Sequence, residues 1–172
     1  QDIKNHSKEV RPEVCCIGLS SIFYLGKTEK LFEKRLSPRV ISQSDINSFI
    51  EKGGKEICFE LKREDIVVFE KVLMRSLLNG YPVERPVGKI ADQLDFWIRY
   101  SATSTELFNK LTQATRSIFP SAKVQFSTFP TISWTLMKEI FFPEHSVLLV
   151  DIGGELTEVT FIMDGYITEV LT

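Results

Sequence analysis

Histidine and cysteine are scarce in this chain. Among 172 residues there are two histidines, His6 and His145, and three cysteines, Cys15, Cys16 and Cys58. No Cys-x-x-Cys pair occurs and no histidine stands at ligand spacing from a cysteine, which argues against a structural zinc site. An odd cysteine count, with Cys15 and Cys16 side by side in an apolar run, fits small buried hydrophobes in a reducing compartment and favours the cytoplasm. No apolar run approaches the roughly 20 residues that a membrane-spanning helix needs, and the start carries no signal-peptide pattern. Charge of one sign is missing too. The 21 basic and 23 acidic residues leave a formal charge of −2, and no Lys/Arg run exceeds a pair, so nucleic acid is not an expected partner. Repeats, low-complexity tracts and any Ser, Cys or His arrangement suited to a nucleophile are likewise absent. The chain starts at Gln1 without an initiating methionine and stops just after an expected strand, which reads as a piece of something longer.

What is present is a 43% hydrophobic composition, enough for a real core. Val14 to Leu19 reads as a buried strand. Ile22 to Leu25 extends the chain again, and Thr28 to Leu36 alternates as a weak strand closed by Pro38. Ser42 followed by Asp45, with Ile46, Phe49 and Ile50 beyond, marks a helix start, and Gly53-Gly54 is read as its end. A short strand is expected at Ile57 to Leu61. Ile66 to Leu78 has apolar positions compatible with either helix or strand. Asn79-Gly80-Tyr81-Pro82 and Pro86-Val87-Gly88-Lys89 are turn clusters, and Leu94 to Tyr100 is a strand. Ser104 or Thr105 caps a helix that Pro120 stops. Val124 to Ser127 is a strand, and Thr131 to Phe142 a helix ended by Pro143. The order from residue 94 onward is the alternation of an α/β layer. Phe96, Trp97 and Tyr100 read as core, and Glu64-Asp65 and Glu70 as a solvated face or helix start.

The last segment is the most informative. Val147 to Val150 is β-branched or leucine throughout, as in a strand buried on both faces. Asp151 closes it, then come Ile152, Gly153 and Gly154, whose small size allows φ > 0 and close backbone approach to an anion. Val159 to Met163, Asp164-Gly165 and Tyr166 to Leu171 spell a tight hairpin. An ordinary hairpin with strain-relieving glycines explains the local pattern equally well.

Three stretches together resemble the FtsA and PilM branch of the actin-like ATPase superfamily. They are Leu78-Asn79-Gly80-Tyr81-Pro82-Val83 with Pro86-Val87-Gly88, the helix Thr105 to Phe119 followed by the helix through Trp134 and Met137, and Val150 to Thr157, which is similar to the second phosphate-binding loop of that family. The strand Val14 to Leu19 and the helix Ser44 to Lys52 look like its inserted strand-helix-strand-strand module, SHS2. The resemblance implies an α/β fold in which an α+β SHS2-like module, residues 1–90, precedes part of an actin-like, ribonuclease H-like lobe, residues 91–172, ending in the phosphate-loop hairpin.

By that resemblance Asp151, Gly153, Gly154 and Thr157 are the nucleotide-binding positions, with Asp151 holding magnesium through water, and ATP and Mg are cofactors of the parent protein. A carboxylate suits a hard cation that keeps its waters, and unhindered amides suit phosphate oxygens. Where FtsA has a third glycine and a threonine, this chain has Glu155 and Leu156. A fixed negative charge beside phosphate is repulsive, so a degenerate loop that keeps only the fold is the alternative. The family's first phosphate loop and its adenosine-binding glycines are not in these residues, so no ATP hydrolysis is expected of this chain alone, and the parent is at most a weak or degenerate ATPase. The leading expectation is an FtsA-like scaffold of bacterial cell division at the inner face of the cytoplasmic membrane. It would join FtsZ filaments to the membrane through segments outside this chain and self-associate through the SHS2-like module. The alternatives are a PilM-like type IV pilus assembly protein that binds a peptide of an inner-membrane partner, and an actin-fold kinase.

Overall fold

The computed structural model describes the backbone of residues 11–61, 65–140 and 146–172, and the side chains of these apart from residues 56–61. His6, Glu64, Phe142, Pro143, His145 and the side chain of Cys58 lie outside the described residues. Nine strands and three helices run in the order β1 (Val14–Leu19), β2 (Leu25–Val40), α1 (Gln43–Leu61), β3 (Ile66–Leu78), β4 (Tyr81–Pro82), β5 (Ile90–Ser104), α2 (Thr105–Ile118), β6 (Lys123–Thr128), α3 (Phe129–Ile140), β7 (Val147–Ile152), β8 (Thr157–Met163) and β9 (Tyr166–Leu171) among the described residues.

They form three sheets. The largest has the order β2-β5-β3-β4, a second pairs β1 with β6, and the third is β7-β8-β9. Two antiparallel neighbours flank β5 along its length, so residues 91–104 belong to the four-stranded sheet. The parallel pair β1-β6 brackets everything between them in sequence, as a parallel pairing with a long crossover must. β1 is half exposed, with Cys16 at the surface and Cys15 half-buried, because this two-stranded sheet is covered incompletely. The expectation of two buried thiols is corrected accordingly.

Helix α1 lies on one face of the large sheet. Its start is the expected one: the Asp45 N–H donates to Ser42 Oγ at 3.1 Å, and the Ser42 N–H donates to Asp45 Oδ2 at 2.8 Å, a reciprocal cap. These bonds, with Arg35 and Arg39 adding to them, hold the Asp45 carboxyl below its ordinary range. Ile46 and Phe49 pack with Ile41, Leu78, Ala91, Leu94, Phe96, Ile98 and Tyr100 in the first core. The helix does not stop at Gly53-Gly54, and the short strand expected at Ile57–Leu61 is its last turns. Gly53 continues the stripe of Ile46, Phe49 and Ile50 at the point where the helix meets Tyr100. A Cβ there would lie 2.3 Å from Tyr100 Oη, so the glycine serves close packing and not termination.

β2 also exceeds the expected strand, running through Pro38. Lys34 pairs with Gln93 and Arg39 with Ala91, so five steps along β2 match two along β5. This bulge lies on an edge strand, paired in its sheet with β5 alone among the described residues, where a proline costs no ladder bond. The second core joins the other face of the sheet to the rest: Met74 with Trp134, Ile162 and Ile167. Two left-handed pairs, Asn79-Gly80 (φ 52° and 83°) and Asp164-Gly165 (φ 52° and 79°), make the expected tight turns.

Candidate functional site

The β7-β8 hairpin collects all four sequence-derived site residues in one turn. Asp151 stands opposite Glu158 across the ladder, and Ile152 stands opposite Thr157. The Gly153 N–H donates to the Leu156 carbonyl at 2.8 Å, closing the turn. That amide is therefore committed within the chain. Neither Gly153 nor Gly154 has a positive φ, although the left-handed region was part of the sequence argument. Gly153 is needed for a different reason, since a Cβ there would stand 3.0 Å from the Leu156 carbonyl oxygen. Gly154, Glu155 and Thr157 are exposed, and Asp151 is half-buried. Strand β7 is not buried on both faces: Leu148, Val150 and Ile152 are 57%, 47% and 79% exposed, while Val147, Leu149 and Asp151 point inward. With one glycine amide used internally and the Glu155 carboxylate beside the turn, the loop fits a magnesium nucleotide poorly. Among the described residues no group of three or more His, Cys, Asp or Glu is arranged to hold a metal ion.

Two buried polar groupings escaped sequence reasoning. The first is centred on Glu70 of β3, expected to face solvent and found 5% exposed. Its Oε1 accepts from Ser127 Oγ at 2.5 Å and from the Thr128 N–H at 3.1 Å. Its Oε2 accepts from Ser101 Oγ at 2.7 Å and lies 3.1 and 3.0 Å from the Thr128 and Thr131 hydroxyls. Thr128 precedes α3, whose first turn contains the buried Pro130, so the carboxylate also faces the positive end of a helix. One side chain thus ties β3 and β5 of the large sheet to β6 and α3.

The second grouping is Arg99, Tyr24 and Glu158, all less than a tenth exposed. Arg99 Nη1 reaches Thr28 Oγ1 at 3.4 Å, and that hydroxyl donates to the Ile167 carbonyl at 2.7 Å. The Tyr24 hydroxyl faces the Arg99 guanidinium and Thr128, and Glu158 Oε1 is buried with no hydrogen-bond partner among the described residues. The Tyr24 phenol is pushed up to about 12, by burial first and then by the charge of Glu158, with Arg99 opposing. No sequence signal marks either grouping, because Glu70 and Arg99 each lie tens of residues from their partners.

A cleft of about 410 Å³ opens where four segments converge. Leu73, Met74, Arg75 and Ser76 of β3 form one wall, and Pro82, Val83 and Glu84 close one end. Lys138 of α3 and the Asp164-Gly165 turn form the other wall. Trp134 Nε1 donates to the Gly165 carbonyl at 2.9 Å, and Arg75 pairs with Asp164 at 3.4 Å across the opening. Trp97 anchors the same hairpin to the sheet, with its ring 5.6 Å from that of Tyr166 and under Lys30 and Arg75. The cleft therefore offers an apolar floor, two cations and two carboxylates. That is the composition of a ligand-binding cleft: apolar contact for affinity and a few placed charges for orientation.

Compared as a whole fold, the chain superposes on a chain of the PilM-PilN type IV pilus biogenesis complex with a TM-score of 0.62, over 99% of its own length. It shares the fold of that chain. Sequence identity is 14%, and the match spans 47% of the solved chain, so this chain corresponds to about half of it. No protein-family model matches the sequence. No curated protein matches it either. Among the described residues no helix is long and apolar enough to cross a membrane.

Proposed function

We propose that this chain is part of a PilM-like scaffold that docks a peptide segment of an inner-membrane partner during type IV pilus assembly, and that it carries no catalysis of its own. The observation that supports this reading is the end-to-end fold match to the PilM-PilN complex. The comparisons favour it over the cell-division alternative, since none of them ties the chain to FtsZ. The cleft between β3, α3 and the β8-β9 turn is the seat we assign to the peptide, because it is the place where apolar floor and paired charges meet. The site would work at the inner face of the cytoplasmic membrane, and ATP would act, if at all, through parts of the parent protein beyond these residues.

The test uses fluorescein-labelled peptides tiled along the cytoplasmic segment of the PilN-type protein from the same organism, titrated with the protein and read by fluorescence anisotropy. Saturable micromolar binding by one peptide, lost in Arg75→Glu or Lys138→Glu, supports the reading. Absence of binding by every peptide, together with co-sedimentation of the protein with FtsZ filaments, would return the cell-division alternative.

A further inference from the structure

The cleft has two walls, and one side chain joins them at their base. Glu70 stands on β3 three residues before Leu73, the first lining residue of that wall. Thr131, which lies 3.0 Å from Glu70 Oε2, is in the first turn of α3, one turn before Trp134 and two before Lys138. From this junction the walls run on to the cleft. Trp134 packs with Met74 and donates to Gly165, and Lys138 lies 5.4 Å over the Trp134 ring at the far lip. Everything that lines the α3 side is therefore referenced to β3 through the Glu70 carboxylate at one end and the Trp134 contacts in the middle.

The backbone of β3 is arranged for this. Its pairing with β5 shifts register between Val68 and Glu70 and again between Leu73 and Arg75, so two bulges frame the stretch from Glu70 to Leu73. A regular strand would place Glu70 on the same face as Val68, which packs against the α1 core. The extra residue, Phe69, turns Glu70 to the opposite face, toward Ser101, β6 and α3. The second bulge, with Met74 as its extra residue, does the same for Arg75, which turns to the face of Met74 and pairs with Asp164. Bulges re-aim side chains in this way. Five donor atoms around one buried carboxylate also leave it little freedom, since each bond to a charged group resists displacement more than a neutral one does.

We propose that Glu70 is a positioning residue for the cleft: its carboxylate fixes the first turn of α3 against β3 and so sets the separation of the walls that receive a peptide. The proposal rests on the peptide-docking reading of the cleft. Glu70→Gln keeps the size of the side chain and replaces one acceptor oxygen with an NH2 group that faces donors. Thr131→Val removes one donor without changing shape. Ser104→Ala, which deletes the α2 cap donated to by Leu107 at 3.2 Å, is a destabilised control remote from the cleft.

Two measurements are made on the wild-type protein and the three variants, well below their melting temperatures. The first is the affinity for the labelled PilN-segment peptide, and the second is the indole N–H resonance of Trp134. Expected are an affinity loss of about tenfold in Glu70→Gln, a smaller loss in Thr131→Val, and a displaced Trp134 indole signal in both. Ser104→Ala leaves both readouts as in the wild type. Equal losses in Glu70→Gln and Ser104→Ala, or an unmoved Trp134 signal in Glu70→Gln and Thr131→Val, overturn the proposal. If the wild-type protein binds no peptide, the docking reading fails separately, and the Trp134 signal still decides whether Glu70 positions the wall. Should Glu70→Gln not fold, Thr131→Val carries both measurements.

Discussion

Two adjacent glycines in α1 respond in opposite directions to the same substitution. At Gly53 an alanine Cβ would lie 2.3 Å from Tyr100 Oη, 2.9 Å from its Cζ and 3.1 Å from Leu31 Cδ1. Tyr100 is 1% exposed and donates to the Ile50 carbonyl at 3.0 Å, so its ring has nowhere to retreat without losing that bond. Alanine gains about 1 kcal/mol of helix propensity over glycine. Against this stand overpacking, about 1–3 kcal/mol, and the strained hydrogen bond, about 0.5–1.5 kcal/mol. Gly53→Ala therefore costs about 1–3 kcal/mol net, or a few degrees in Tm for a domain of this size. At Gly54 the same methyl meets nothing nearer than Lys71 Cε and Tyr100 Cε1, both at 3.6 Å, ordinary contact distance. Gly54→Ala should stabilise by up to about 1 kcal/mol. Urea unfolding followed by far-ultraviolet circular dichroism measures both. Adding Tyr100→Phe to Gly53→Ala removes the worst clash while leaving the one with Cζ, so the double variant should show a favourable coupling. If Gly53→Ala is as stable as the wild type, the close approach of helix and sheet is wrong and the glycine pair is only a failed helix stop.

Alkali provides a second test. Tyr24 ionises at about 12 in the folded protein against the usual 10.0, so the unfolded chain loses this proton first. The contribution is fully present below pH 10 and is lost as pH rises toward 12, falling by roughly 3 kcal/mol in all. Urea melts at about pH 9 and about pH 11 should show about half of this loss in the wild type and a flatter response in Tyr24→Phe; equal slopes would contradict the burial argument. A third concerns nucleotide: isothermal titration of the protein with MgATP should give no measurable heat, because the Gly153 amide closes its own turn and Glu155 repels phosphate. Sub-millimolar binding would refute it.

Local chemistry was readable where it is complete within a few residues. Asp164-Gly165 and Asn79-Gly80 announce tight turns because positive φ is a property of the residues themselves, and Ser42 with Asp45 or Ser104 before Leu107 announce helix starts because the donor and acceptor are neighbours. The hairpin around Asp151 belongs to the same class. Gly53-Gly54 was misread because the local rule, that paired glycines stop helices, was overruled by a sheet whose nearest atom belongs to Tyr100. Ile66 to Leu78 resisted assignment for a related reason. Its two bulges break the period of two, leaving apolar residues at spacings that match neither helix nor strand.

The cleft and its base lie beyond any such rule. Its lining comes from β3, the segment after the Asn79-Gly80 turn, α3 and the β8-β9 turn, and a sequence does not say which distant segments will converge. Glu70 shows the difficulty at a single residue. A charged side chain between Phe69 and Lys71 has the local signature of a solvated face, and nothing nearby offers it a partner; its donors are 31, 57, 58 and 61 residues away. Yet each donor is a short hydroxyl or a helix-capping amide, and Ser127, Thr128 and Thr131 gather at the start of α3. A cap whose hydroxyls outnumber the helix amides they serve has capacity left over. In this fold that surplus meets the one carboxylate that a bulge turns away from the α1 core, and the wall of the cleft is set there.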